Sequence, residues 1–129
     1  MLSAGVHAAT DVTGFGLAGH LKEMIKENLG AEVHADRLPS FPEAGDLYGE
    51  GMLPSGFYGN KDFYIPYVEA ETEGFLLDLM FDPQSSGGLL MALGEGDMDL
   101  FDREALRLSV DYWVVGRFTE EPKGRILVG

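Results

Sequence analysis

Asp11 stands between two threonines in Thr10-Asp11-Val12-Thr13-Gly14-Phe15-Gly16, and a helical pattern follows at once. A carboxylate in that place can hold Mg²⁺, and the metal can bridge to phosphate oxygens. A helix N-terminus offers free N–H groups and a partial positive charge, which favours an anion. Gly14 and Gly16 remove side chains where an anion would have to come close. The same residues also have a plainer reading, in which Asp11 or Thr13 caps the helix and the glycines make the turn. One Asp is too little for a strong Mg²⁺ site, so the metal reading requires carboxylates from elsewhere.

A second loop carries the same ambiguity. Asp82-Pro83-Gln84-Ser85-Ser86-Gly87-Gly88 precedes the apolar run Leu89–Leu93. Its serines can donate to an anion or to a neighbouring loop, and its glycines permit tight entry into a strand. It is no P-loop, because no Gly-Lys-Ser/Thr follows. His7, His20 and His34 share no metal-ligand spacing and are read as packing or facing water. No GxSxG elbow supports a Ser/His/Asp triad. Residues 54–60, PSGFYGN, read as a surface loop whose Phe57 and Tyr58 either pack or cover a ligand.

Positioning these loops requires flanking elements. Residues 15–28 place Phe15, Leu17, Leu21, Met24 and Ile25 on one face, which predicts an amphipathic helix stopped by Gly30. Residues 1–9 read as a helix end or a short strand, and 31–36 as a short strand. Residues 41–51 suggest a short helix and 52–62 a loop. Residues 63–70 are strand-like, with Pro66 confining them to an edge. Residues 71–81 predict a helix burying Phe75, Leu76, Leu79 and Met80. Residues 89–93 predict a central strand covered on both faces. A helix over 97–108 using Leu100, Phe101, Leu106 and Leu108 follows, then strands over 111–118 and 125–129. The pattern predicts one α+β domain over 1–129: a mixed or mostly antiparallel sheet of about four strands with helices packed against it.

Composition narrows the function classes. The 129 residues carry a net charge of -13, from 22 acidic against 9 basic side chains, which disfavours nucleic acid and anionic membranes as partners. Cysteine is absent, so no thiolate metal site or cysteine nucleophile exists within these residues. That fits a cytoplasmic location. No stretch is long and apolar enough for a transmembrane helix, and MLSAGVHAA lacks the features of a signal peptide. Met1-Leu2 reads as already inside an element, which points to a piece of a longer chain.

HAATDVTGFGLAGHLKEM, the GMLPSG…N loop, FDPQSSGGLLMAL and VVGRFTEEPKGRI occur in this order along the chain. In that combination the sequence resembles the selenophosphate synthetases (selenide, water dikinases), of the aminoimidazole ribonucleotide (AIR) synthetase-like superfamily. The resemblance implies a C-terminal domain with α/β/α layers, whose N-terminal ATP-binding and catalytic domain is absent here. It implies a reaction taking ATP, selenide and water to selenophosphate, AMP and phosphate, in a full-length homodimer. It implies that Asp11 is a magnesium ligand, and that Thr10, Thr13, Gly14 and Gly16 form the surrounding phosphate-facing loop. No catalytic residue is expected within the fragment, which should be inactive alone. The 54–60 loop departs from the family at Ser55, Phe57 and Gly59 and keeps Asn60. The rival reading is a standalone nucleotide-binding or partner-binding module of the same superfamily.

Overall fold

A computed structural model describes residues 5–85 and 87–129. Two sheets organise them. The larger has four short strands in the order β3 (Val68–Ala70), β6 (Ile126–Val128), β2 (Gly30–Val33), β5 (Gly116–Thr119). β6 runs parallel to both β3 and β2, and β5 is antiparallel to β2. This is the mixed four-stranded sheet expected from the sequence. Register aligns Ala31, Ile126 and Val68 in one row and Val33 with Val128 in the next, so these apolar residues share a face. The opposite face carries Glu32, Leu127, Glu69 and Arg117, with Arg117 Nε 2.7 Å from Glu32 Oε2.

The apolar face meets helix α1 (Gly16–Ile25) through Ala18, Leu21 and Ile25, and α3 (Ser55–Tyr64) through Phe57 and Tyr64. Met80 and Phe81, in the 3-10 turn Leu79–Phe81, complete that core and are fully buried. A short helix, α2 (Ala44–Gly49), lies near the surface; its Tyr48 hydroxyl donates to buried Asp78 at 2.9 Å. Lys61 Nζ stands 2.7 Å from the other Asp78 oxygen, so this buried acid is both paired and hydrogen-bonded. The hydrogen bond to Asp78 pushes the Tyr48 phenol up.

The smaller sheet is β1 (Val6–Asp11) paired antiparallel with β4 (Leu89–Leu93). Helix α5 (Met98–Arg107) supplies Phe101 and Ala105, against which Val6, Met91, Leu93 and Tyr112 pack. β4 is therefore not a central strand. Its residues still find apolar neighbours on both sides, Leu90 against the main core and Met91 and Leu93 beside α5, while Leu89 is half exposed.

Several expectations need correction. Residues 52–62 are not a loop: α3 starts after Pro54, whose fixed φ of -65° suits a helix start, and burial of Phe57 and Tyr64 outweighs its glycines. Strand structure in 63–70 is confined to Val68–Ala70, because Pro66 sits in a 3-10 turn; β3 does lie at the sheet edge. Residues 71–81 give one helical turn, α4 (Phe75–Asp78), then the 3-10 turn, and they bury Asp78, Met80 and Phe81 while Leu76 faces out. On α5 the inward residues are Phe101 and Ala105; Leu106 is 80% exposed. Residues 111–115 precede β5 rather than extending it. Helix α1 ends at Lys26, which takes φ 51° and donates its N–H to the Lys22 carbonyl, and Gly30 opens β2 instead. Among the described residues no helix is long and apolar enough to cross a membrane.

Candidate functional site

The turn between β1 and α1 is tied down by backbone. Val12 is buried, and its N–H donates to the Gly88 carbonyl at 2.9 Å. The Thr13 carbonyl accepts from Gly16 N at 3.0 Å and from Gln84 N at 3.1 Å. The two loops singled out in the sequence are therefore stitched together through main chain. Gly87 makes this possible: a Cβ there would run into the Val12 carbonyl. From α3, the Asn60 side-chain amide donates to the carbonyls of Gly14 (2.8 Å) and Phe81 (3.1 Å), bracing both loops at once.

Between them lies an open depression of about 320 Å³, lined by Thr13, Gly14, Pro54, Pro83, Gln84 and Ser85. Of the expected site residues, Thr13 and Gly14 line it, whereas Thr10, Asp11 and Gly16 do not. Asp11 ends β1 opposite Leu89, and its carboxylate is exposed and without a hydrogen bond or ion pair among the described residues. Thr10 is half-buried on the same strand. Gly16 is buried with φ 72°, and a Cβ there would lie 3.0 Å from the Met80 and Asp82 carbonyl oxygens, so the fold itself demands glycine. Ser86 lies outside the described residues.

The cap expected from Asp11 or Thr13 does not form. Phe15 occupies the N-cap position of α1, with no side-chain hydrogen bond to the first turn. The Thr13 hydroxyl instead shares a 3.0 Å hydrogen bond with His20 Nε2. His20 is buried, as a packing histidine should be, and the Phe15 ring lies over it at 5.7 Å between centroids. Loop 54–60 divides: Phe57 is buried, Tyr58 is exposed, and Pro54 joins the lining of the depression.

Among the described residues no group of three or more His, Asp or Glu side chains could hold a metal ion. Asp11 fits as one oxygen donor of a shared site, since Mg²⁺ commonly takes one or two carboxylates and completes its shell with water and phosphate.

Asp82, at the head of the second loop, is half-buried, and burial pushes its carboxyl above the ordinary value of 3.8. A raised folded value means that protonation favours the folded state. That contribution is complete below about 3.8 and is lost as pH rises through the raised value. At pH 7 the charged carboxylate thus opposes folding, and Asp82→Asn should raise Tm slightly. Thermal unfolding at pH 7 and pH 3.5 checks this: the advantage should vanish at the lower pH.

Matched over residues 1–129, this mixed-sheet domain with its pair of braced loops belongs to the family described as AIR synthase related protein, C-terminal domain. Its relatives carry a more particular name. The selenide, water dikinase of Pelobacter propionicus is 39% identical over 127 residues, covering 95% of this chain and 36% of that protein. That of Carboxydothermus hydrogenoformans is 37% identical over 130 residues, covering 99% and 38%. That of Geobacter metallireducens is 42% identical over 103 residues, covering 78% and 30%. The chain therefore spans about a third of the length of the curated relatives it matches.

Proposed function

We propose that this chain is the C-terminal domain of a selenophosphate synthetase, which makes selenophosphate, AMP and phosphate from ATP, selenide and water. The observation that carries the reading is the meeting of the Thr10–Gly16 and Asp82–Gly88 loops at one depression, with the Asp11 carboxylate, two residues before Thr13, exposed and without a partner among the described residues. Both loops belong to the runs in which the sequence resembles that family. The remaining metal ligands and the nucleophile come from an N-terminal domain, and the full-length protein is a cytoplasmic homodimer.

In this reading Asp11 supplies charge and does not act as a nucleophile. Mg²⁺ held there by Asp11 and the ligands of the N-terminal domain would supply positive charge against the ATP oxygens. Thr13 and Gly14 present the loop that faces the phosphates, and Asn60 keeps that loop in place through the Gly14 carbonyl. Thr10 and Gly16 shape it from the strand and from the helix start.

The 129-residue chain alone should give no selenide-dependent AMP above background. Joined behind the N-terminal portion of the Carboxydothermus hydrogenoformans dikinase, it should restore turnover. AMP formation by the isolated chain would contradict the division of labour. A folded hybrid that binds Mg–ATP normally and makes no selenophosphate would favour a nucleotide-binding module instead.

A further inference from the structure

The run Thr13-Gly14-Phe15-Gly16-Leu17-Ala18-Gly19-His20 does more than start a helix. His20 is buried, its side chain 9% exposed, on a helix whose other buried side chains are Ala18, Leu21 and Ile25. Phe15 covers it, and the Tyr64 ring stands 6.5 Å from Phe15. Gly19 permits this closure, because a Cβ there would lie 2.6 Å from Phe15 Cβ and 2.8 Å from the Tyr64 ring. The enclosed ring has one hydrogen bond among the described residues, between Nε2 and the Thr13 hydroxyl, while Nδ1 is buried without one. The charged group facing Nδ1 is the Glu23 carboxylate at 3.9 Å, one turn along the same helix.

That surrounding selects a tautomer. A proton on Nδ1 directs a positive edge at Glu23, whereas a lone pair there would face a negative charge. With Nδ1 protonated, Nε2 is an acceptor, and the Thr13 hydroxyl must donate to it. The hydroxyl's only proton is then committed inward. Its oxygen keeps lone pairs for the depression that Thr13 lines.

We propose that His20 is a positioning residue that turns Thr13 Oγ1 into a fixed oxygen acceptor for an electropositive group, specifically a divalent cation held near Asp11. This rests on the function proposed above and adds to it: Thr13 meets the metal side of the substrate and does not donate to a phosphate oxygen. The glycines and Phe15 of the run are then the means of burying the imidazole that sets the hydroxyl.

Two measurements test it. Long-range ¹H–¹⁵N spectra of the ¹⁵N-histidine-labelled chain at neutral pH should show His20 protonated at Nδ1, with Nε2 in the acceptor range and shifted by Thr13→Val. An Nε2-protonated ring would overturn the proposal without reference to activity. In the full-length enzyme, Thr13→Val and His20→Leu should each raise the Mg²⁺ concentration for half-maximal AMP formation by about 10–100-fold. Thr13→Ser and His20→Gln should recover most of that loss, and the double variant should be no worse than Thr13→Val alone. If His20→Leu fails to fold, His20→Gln and the Thr13 pair still decide. Unchanged Mg²⁺ dependence in folded Thr13→Val would sink the proposal. Asp11→Asn, assayed alongside, separates the two failures: if it is impaired while Thr13→Val is normal, only the role of Thr13 and His20 falls.

Discussion

On the function proposed above, Asp11→Asn in the full-length enzyme should lower selenide-dependent AMP formation by roughly 10²–10³-fold, the scale for losing one fixed electrostatic stabiliser. It leaves stability within about 0.5 kcal/mol, because the side chain is exposed and unbonded among the described residues. The substitution keeps the shape and removes the charge, so the loss measures charge. Initial rates over a range of Mg²⁺ and ATP, with Tm measured on the same preparations, check both halves. Near-normal rates would remove Asp11 from the reaction. A large fall in Tm would mean that Asp11 holds the fold in a way its exposure does not suggest.

Elsewhere in the loop structural and site roles overlap, which bears on what the sequence could reveal. Helix α1 was legible because its apolar residues recur at helical spacing. Its inner face was less so: Ala18, Gly19 and His20 are buried, while Phe15 stays 52% exposed over the imidazole. The Asp11 and Gln84 loops were legible as special because both pair glycines with polar side chains next to an apolar element. Their stitching through Val12, Gly88, Thr13 and Gln84 was not, since main-chain hydrogen bonds leave no trace in residue types. Helix α3 was hidden for a related reason. Pro54, Gly56, Gly59 and Asn60 all favour a turn locally, and what overrides them is burial of Phe57 and Tyr64 with the bonds of Asn60 to residues 46 and 21 positions away. The outward Leu106 and Leu108 misled in the opposite direction, because an apolar residue near a helix end need not face the core.

Phe81→Ala should have the largest effect on stability. Phe81 is 0% exposed and among the largest fully buried side chains, in a cluster with Ile25, Ile126 and Val128. Removing a buried phenylalanine ring typically costs about 3–5 kcal/mol, through lost transfer energy and the cavity left behind. Domains of this size are stable by only about 5–15 kcal/mol, so the variant should sit close to the unfolding threshold at 37 °C. A urea titration should show the midpoint falling with little change in slope, while Phe81→Leu, which keeps more of the volume, should fall much less. The consequence reaches the depression by a short route. The Phe81 carbonyl accepts one of the two Asn60 bonds, and the next residue, Asp82, opens the loop that carries Gln84 to the Thr13 carbonyl. Any play in the 79–81 turn is therefore passed to both loops, and the part of the variant that remains folded should show a weaker affinity for Mg–ATP in the full-length enzyme. A loss below about 1 kcal/mol for Phe81→Ala would show that the turn is not the anchor of the core. The two loops would then owe their arrangement to Asn60 and the backbone alone.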